Sequence, residues 1–241
     1  SEVLIVAVKK DLIDRHLTLL EAVGLEPTII DVDSIALVNA VIAGSEINPE
    51  EAVAVVNIGS NVTNIAIMRD EMTRFTRDLA FGGRNITAAI ASQFDLSPAE
   101  AEAKKRAVGM SAVSSAAAEP ESAPEAPAPG VIQDLYQAIE DLKEGAPEAP
   151  PEQAGDAEAR QIGELCEQVI GDIVSEVKRS LLYYENQLDG EPIARVLLSG
   201  GTAQLKGIRE YFESVLDVPA ELIHPFQKIR APFSQHEAEE K

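Results

Sequence analysis

Disulfides are the first thing this sequence rules out: Cys166 is its only cysteine, so no cysteine framework can staple the fold, and a reducing, cytoplasmic compartment is the natural reading. Its place in a helical apolar stripe suggests a small buried filler. Metal-ligating chemistry is equally thin. The three histidines are scattered, His16 on an apolar helix face, His224 before Pro225 in an exit turn and His236 in a polar tail, and they make no ligand cluster with one cysteine. Bases are scarce as well. Twenty Lys and Arg against 41 Asp and Glu leave a formal charge of −21, which argues against wrapping nucleic acid or lying on an anionic bilayer by charge. No run approaches the roughly 18 apolar residues of a membrane span. The opening "SEVLIVAVKK" is too short, and wrongly flanked by Glu2 and Lys9-Lys10, to be a signal peptide.

What the chain does have is a globular composition, 45% hydrophobic over 241 residues, enough for one large domain or two small ones. The acidity is local. Residues 112–160 hold eleven acids against Lys143 and Arg160, which is nine of the 21 net negative charges. Seven of the 14 prolines fall in "AVSSAAAEPESAPEAPAPG" (112–130) and "EGAPEAPPEQAGDAE" (144–158), which have little apolar surface to bury and read as mobile, extended linkers. Between them Val131, Ile132, Leu135, Ile139 and Leu142 mark a short amphipathic helix.

Hydrophobic periodicity orders the rest. Residues 3–8 predict a buried strand and 12–23 a helix closed by "GLEP"; a second strand at 28–31 leads to a helix near 34–43. The texture then changes to three strands, 53–58, 63–68 and 74–79, joined by "GSNV" and "RDEM" as an antiparallel meander. Gly82-Gly83 opens a helix, and "LSPAEAEAKKR" restarts one at Ser97 with Pro98 at its first position. The best helical pattern is 158–187, from Ile162 to Tyr184, long enough to cross much of a core. A strand "ARVLLSGG" passes at Gly200-Gly201 to a helix near 203–216, and "VPAELIHPF" supplies a short edge strand. "RFTR" and "AKKRAVG" are small basic spots that read as solvated faces.

Two turns could carry chemistry. "VVNIGSNVTNIAIM" (55–68) sets Gly59-Ser60-Asn61 between two β-branched runs, where backbone N–H groups and small hydroxyls can cradle an anion. The same residues suit an ordinary hairpin. "VLLSGGTAQLKG" (196–207) ends a strand in glycines at a helix start, which admits a ligand close to the backbone or simply makes a corner.

Order and distance join these turns. A meander with a glycine turn, Gly-Gly before a helix, a helical excursion, a long helix and then strand-Gly-Gly-helix resembles the second half of the α/β actin-like ATPase (ribonuclease H-like) fold. "NIGSNVT" is similar to that superfamily's second phosphate loop, D-x-G-x-x-x-T, apart from Asn57. Within it the chain most resembles the PilM family of type IV pilus assembly, through "LEAVGLEPTIIDVDSIALVNA", "VVNIGSNVTNIAI", "FTRDLAFGGRNIT", "LSPAEAEAKKR", "SEVKRSLLYYENQ", "LLSGGTAQLKGI" and "VPAELIHPFQKI". The cell-division protein FtsA shares the fold, but "RSLLYYENQ" and "HPFQKI" look like the pilus family.

The resemblance implies ATP or ADP with Mg2+ held between two lobes. Asn57, Gly59, Ser60, Asn61 and Thr63 would line the phosphates, and Gly200, Gly201 and Thr202 the adenosine, with Glu176 and Arg179 reaching adenine or ribose unless they are a solvated helix face. An amide at Asn57 cannot supply the anionic charge that holds a metal-bound water, so nucleotide binding is expected rather than efficient hydrolysis. The expected partner is the cytoplasmic N-terminal segment of PilN, with other proteins of the pilus inner-membrane platform, giving a cytoplasmic scaffold held at that membrane through partners. An active ATPase or filament former of the FtsA type, a small-molecule kinase and a packing domain without nucleotide stay open as alternatives. The expected division is 1–50 as the end of the first lobe, 51–81 as the second-lobe meander, 82–143 as a helical subdomain, 144–158 as a linker, 159–230 as the long helix and adenosine motif, and 231–241 as a tail. With no D-x-G segment before residue 1 and no helical return after "APFSQHEAEEK", the chain is expected to be a middle-to-late portion of the fold, mainly its second lobe.

Overall fold

The computed structural model describes residues 6–110, 154–187 and 190–223. The two linkers, apart from residues 154–158, and the short helix between them lie outside the described residues, as do the tail, His224 and His236.

A five-stranded sheet forms the centre. Strands β1 (Ala52–Ile58), β2 (Thr63–Arg69), β3 (Met72–Leu79), β4 (Ile193–Ser199) and β5 (Ala220–Leu222) lie in the order β3-β2-β1-β4-β5. The first three make the expected antiparallel meander. β4 and β5 then add on parallel to β1. The β2–β3 hairpin turns on Asp70 and Glu71, both at positive φ (53° and 57°), the handedness that matches the twist of the flanking strands.

Because β1 and β2 are buried on both faces, their apolar runs hardly alternate. One face packs on helix α5 (Ala154–Gln187), whose Ile162, Cys166, Ile170, Ile173, Val174, Val177 and Leu181 recur every three or four residues and sit in the larger core. Thirty-four residues of helix span about 50 Å, so this one element crosses the sheet, α3 (Gly83–Phe94) and α4 (Pro98–Val108). The other face carries α2 (Asp33–Gly44), which seats Val38 and Val41 on Val53, Val55, Ala66, Met68 and Leu197. Cys166 is buried as expected, and burial pushes its thiol up to about 11.

α4 starts where its sequence says it should. Ser97 accepts from the Glu100 N–H at 3.4 Å while the Glu100 carboxylate accepts from the Ser97 N–H at 2.9 Å, a reciprocal cap.

Several expectations change. Residues 6–8 and 28–31 are not strands: neither segment joins the sheet, and Ile29 and Ile30 are 82% and 61% exposed. An extended segment becomes a strand only when a neighbour takes up its backbone groups, and no described residues do so here. Helix α1 (Lys10–Ala22) forms, but none of its residues is buried, His16 included. The helix expected over 203–216 is two pieces, a 3-10 turn (Gly201–Gln204) and α6 (Ile208–Leu216), parted by Gly207 at φ 79°. α5 begins at Ala154, so the last residues of the expected 144–158 linker are helical.

Candidate functional site

Three chain crossings converge beyond the carboxyl ends of β1 and β4. The β1–β2 turn closes on itself when Gly59 N–H donates to the Val62 carbonyl at 3.0 Å. The first amides of α3 then donate to that turn, Gly83 N–H to the Gly59 carbonyl at 2.9 Å and Arg84 N–H to the Ser60 carbonyl at 2.8 Å. From the β4 side, Thr202 Oγ1 donates to the same Gly59 carbonyl at 3.2 Å. This crowding requires glycine. A Cβ at Gly82 would meet the Gly59 carbonyl oxygen at 2.4 Å, and Gly200, at φ 91°, would press one onto the Ile58 carbonyl oxygen at 2.5 Å.

Against this junction opens a cavity of about 720 Å³, bounded by Gly59 and Ser60, by Gly201 and Thr202, and by the facing sides of α3 and α4. That is the size of a small-molecule site. Its α3–α4 wall is a preformed polar cluster. Lys105, only 5% exposed, donates to the Glu102 carboxylate at 2.6 Å, to Thr87 Oγ1 at 3.0 Å and to the Gly83 carbonyl at 3.2 Å. The Thr87 hydroxyl lies 2.6 Å from the same Glu102 oxygen and donates to it, and Arg106 Nε donates to the other oxygen at 2.9 Å. Burial alone would raise the Glu102 carboxyl, but the hydrogen bonds from Lys105, Thr87 and Arg106 outweigh it together and hold the group at about 2. The carboxylate is therefore ionised and fixed in direction, and Arg84 and Arg106 add positive charge at the same wall.

Of the residues singled out from sequence, Gly59, Ser60, Gly201 and Thr202 line this cavity together. Gly200 makes the corner beneath them. Asn61 is exposed beyond the rim, and Thr63 is fully buried, donating to the Phe81 carbonyl at 3.0 Å. Thr63 thus holds the β3–α3 connection and does not face the cavity. Glu176 and Arg179 do not line it either. They sit on the part of α5 that meets β3, where Glu176 pairs with Arg77 at 2.6 Å and with Arg179, because α5 crosses the sheet at its edge strand. Arg77 of "RFTR" is correspondingly a structural ion pair.

Thr87, Glu102 and Lys105 were missed. "AKKR" reads as a solvated basic face, and the signal that could have found them is Glu102 and Lys105 on one helical stripe with the buried Ala101 beside it.

The donor set has a definite character toward metals. Among the described residues no group of three His, Cys, Asp or Glu could hold an ion, so a protein-built metal cage does not fit. Asn57 is not among the residues that line the cavity, but a hydrated cation carried in on phosphates needs only acceptors for its waters, and Asn57 Oδ1, 2.8 Å from where a Gly200 Cβ would stand at the corner beneath the cavity, is such an acceptor. Among the described residues no helix is long and apolar enough to cross a membrane.

The comparisons agree with this layout. The structure is similar to that of a PilM-PilN type IV pilus biogenesis complex, with a TM-score of 0.63 at 20% identity over 95% of this chain and 53% of that one. It is also similar to the ethanolamine utilization protein EutJ from Carboxydothermus hydrogenoformans, with a TM-score of 0.52 at 20% identity over 87% of this chain and 56% of that one. MreB 5 of Spiroplasma citri bound to AMPPNP follows at a TM-score of 0.46 and 16% identity, over 89% and 60% of the two chains. The chain spans about half the length of the first two. Its fold is the α/β fold of the actin-like ATPases. In sequence, the family described as type IV pilus assembly protein PilM matches residues 1–114 and 163–239. A match over most of the sequence, on a sheet and corner of the same design, means that this chain belongs to the PilM family of type IV pilus assembly proteins.

Proposed function

We propose that this chain is the nucleotide-binding half of an actin-like scaffold in the type IV pilus inner-membrane platform, taking ATP or ADP with Mg2+. The observation that carries the reading is the cavity itself, which joins a glycine turn at the ends of β1 and β4 to the Thr87–Glu102–Lys105 cluster. The two ends suit the two ends of one ligand. At Gly59 and Ser60 the backbone lies open with no large side chain in the way, which suits phosphates. At the other end a fixed carboxylate beside a threonine and two bases suits the hydroxyls of a sugar, since a hydroxyl can donate to Glu102 and accept from Arg106. The nucleotide would supply a polyanion and a hydrated dication, and the chain's own residues orient it. Gly59 and Ser60 bound the phosphate end, Gly201 and Thr202 lie on the adenosine side with Glu102 and Thr87 fixing the sugar, and α3 with α4 excludes water behind it.

Hydrolysis is not the favoured outcome. No carboxylate stands at the end of β1, where Asn57 offers a neutral amide, so binding is stronger than turnover in this reading. Nucleotide would then act on shape, holding the α3–α4 pair and the sheet in one arrangement. The partner is the N-terminal cytoplasmic segment of PilN, a reading supported by the complex with PilN in which the similar structure was solved.

The test is calorimetric titration of ADP and ATP into the full-length protein, followed by a peptide of the PilN N-terminal segment. Binding of nucleotide, weakened about tenfold by Glu102→Ala through loss of a charged hydrogen-bond acceptor, is the expected result. Absence of nucleotide binding overturns the site, and absence of peptide binding overturns the scaffold.

A further inference from the structure

Three polar side chains cross the sheet in one line. Asn57 on β1 stands opposite Asn64 on β2, which stands opposite Asp78 on β3. They share the face of Val53, Val55, Ala66 and Met68, beyond the area that α2 covers. Asn57 Nδ2 donates to Asn64 Oδ1 at 3.1 Å, and Asn64 Nδ2 donates to Asp78 Oδ1 at 2.8 Å. Asn64 is 5% exposed, so water cannot readily stand in for either neighbour.

The line has a direction, and the carboxylate sets it. An ionised Asp only accepts, whereas each amide has an NH2 end and a C=O end. Asp78 therefore draws the NH2 of Asn64 toward β3 and turns its oxygen toward β1. That oxygen in turn draws the NH2 of Asn57, which leaves Asn57 Oδ1 facing the Gly200 turn. There it accepts no hydrogen bond from a described residue, and only the absence of a side chain on Gly200 keeps the space before it open, since a Cβ would lie 2.8 Å away.

We propose that Asp78 is a positioning residue that acts through Asn64 to present the carbonyl oxygen of Asn57, and not its NH2, at the Gly200 turn, where it receives a water bound to the nucleotide's cation. The last clause rests on the nucleotide reading above; the orientation of the row does not. A neutral residue at the end of β1 is thereby given the polarity that a cation's water requires, from a charge two strands away.

Two arms test this separately. In the first, without nucleotide, Asn57→Asp places a second acceptor against Asn64 Oδ1 and should lower the folding equilibrium constant about tenfold, the usual cost of an unsatisfied buried polar group. Asp78→Lys replaces the acceptor by a donor on an edge strand, so the whole row can reverse, and alone it should cost little. The double variant Asn57→Asp with Asp78→Lys satisfies every member of the reversed row and should recover the loss. In the same variants, nuclear Overhauser contacts of the Asn57 side-chain NH2 should run to Asn64 in the parent and to Gly200 in Asp78→Lys. Additive losses in the double variant, or contacts to Gly200 in the parent, overturn the proposal.

In the second arm, ADP is titrated with and without Mg2+. The gain in affinity that Mg2+ gives should fall about fivefold in Asp78→Lys, as expected for one lost hydrogen bond, and stay unchanged in Thr76→Lys, which places the same charge on the same strand outside the row. An equal fall in both variants overturns the link to the cation. Failure of ADP to bind at all removes the nucleotide reading and leaves the first arm to decide the row.

Discussion

Helices α1 and α2 lie in the same stretch of chain and behave oppositely. α1 has the cleaner division into apolar and polar faces, yet none of its residues is buried; α2, apolar nearly all round, buries Val38 and Val41 to 1% exposure on β1 and β2. Periodicity therefore predicts that a helix forms and which face is apolar. It does not say whether a partner for that face is at hand. The exposed apolar side chains bear this out by their position, since Val6, Val8, Leu12, Leu19, Val23, Leu25, Ile29 and Ile30 all precede α2. Among its described residues the sheet-bearing region keeps only Val62, Met72, Leu182, Tyr183 and Leu222 in that condition.

The contrast can be broken at graded points. The largest effect belongs to the sheet side, where Ile173→Ala in α5 should cost about 2–5 kcal/mol in urea unfolding, because the void cannot collapse between helix and sheet. A cost below about 1 kcal/mol would mean the core is loosely packed. Next comes Glu102→Gln. Its carboxyl is held at about 2 in the fold against 4.5 for the free group, so its stabilisation is complete above pH 4.5 and fades as pH falls toward 2. After solvent screening, about 1–2 kcal/mol should separate the variant from the parent at pH 7, with the gap narrowing on acidification. A gap independent of pH would detach the carboxylate from the cluster.

Smaller again is Ser97→Ala, which removes the reciprocal cap of α4 and should cost about 1 kcal/mol by the same assay. The smallest effect sharpens the comparison most. Leu19→Ala, at a residue 65% exposed, should change stability by no more than about 0.5 kcal/mol. A loss matching that of Ile173→Ala would show α1 packed against something and erase the difference between the two helices.

Legibility in the sequence follows the same division. The meander, the Gly-Gly corners, the capped α4 and the long α5 were readable because each rests on local rules: β-branched runs with short connections, turn residues, a Ser-x-x-Glu box and a helical stripe. The strands expected at 3–8 and 28–31 depended on non-local neighbours and did not form over the residues described. At the site, Gly59, Ser60, Gly201 and Thr202 were legible as turn chemistry. Thr63 shares the β2 face of Ile65 and Ile67, which packs toward α3 and α5, yet it does not line the cavity, because its hydroxyl donates to the Phe81 carbonyl of the β3–α3 connection, a neighbour that strand periodicity does not place. Glu102 and Lys105 were hidden for a plainer reason. A lysine buried by three acceptors from two helices looks, in one dimension, like any charge on a solvated face.

The Gly59 carbonyl also has a consequence in time. Its two donors are Gly83, which belongs to the local meander and helix, and Thr202, which is 143 residues away along the chain. Hairpins close within microseconds, whereas contacts between distant segments wait for the slow meeting of those segments. The first bond can form while the second half of the chain is still searching, but the turn reaches its final state only when β4 has docked beside β1. Occupancy of that one oxygen thus marks the moment when the two halves of the sheet become a single folding unit, and refolding followed at Thr202 should lag refolding followed at Gly83.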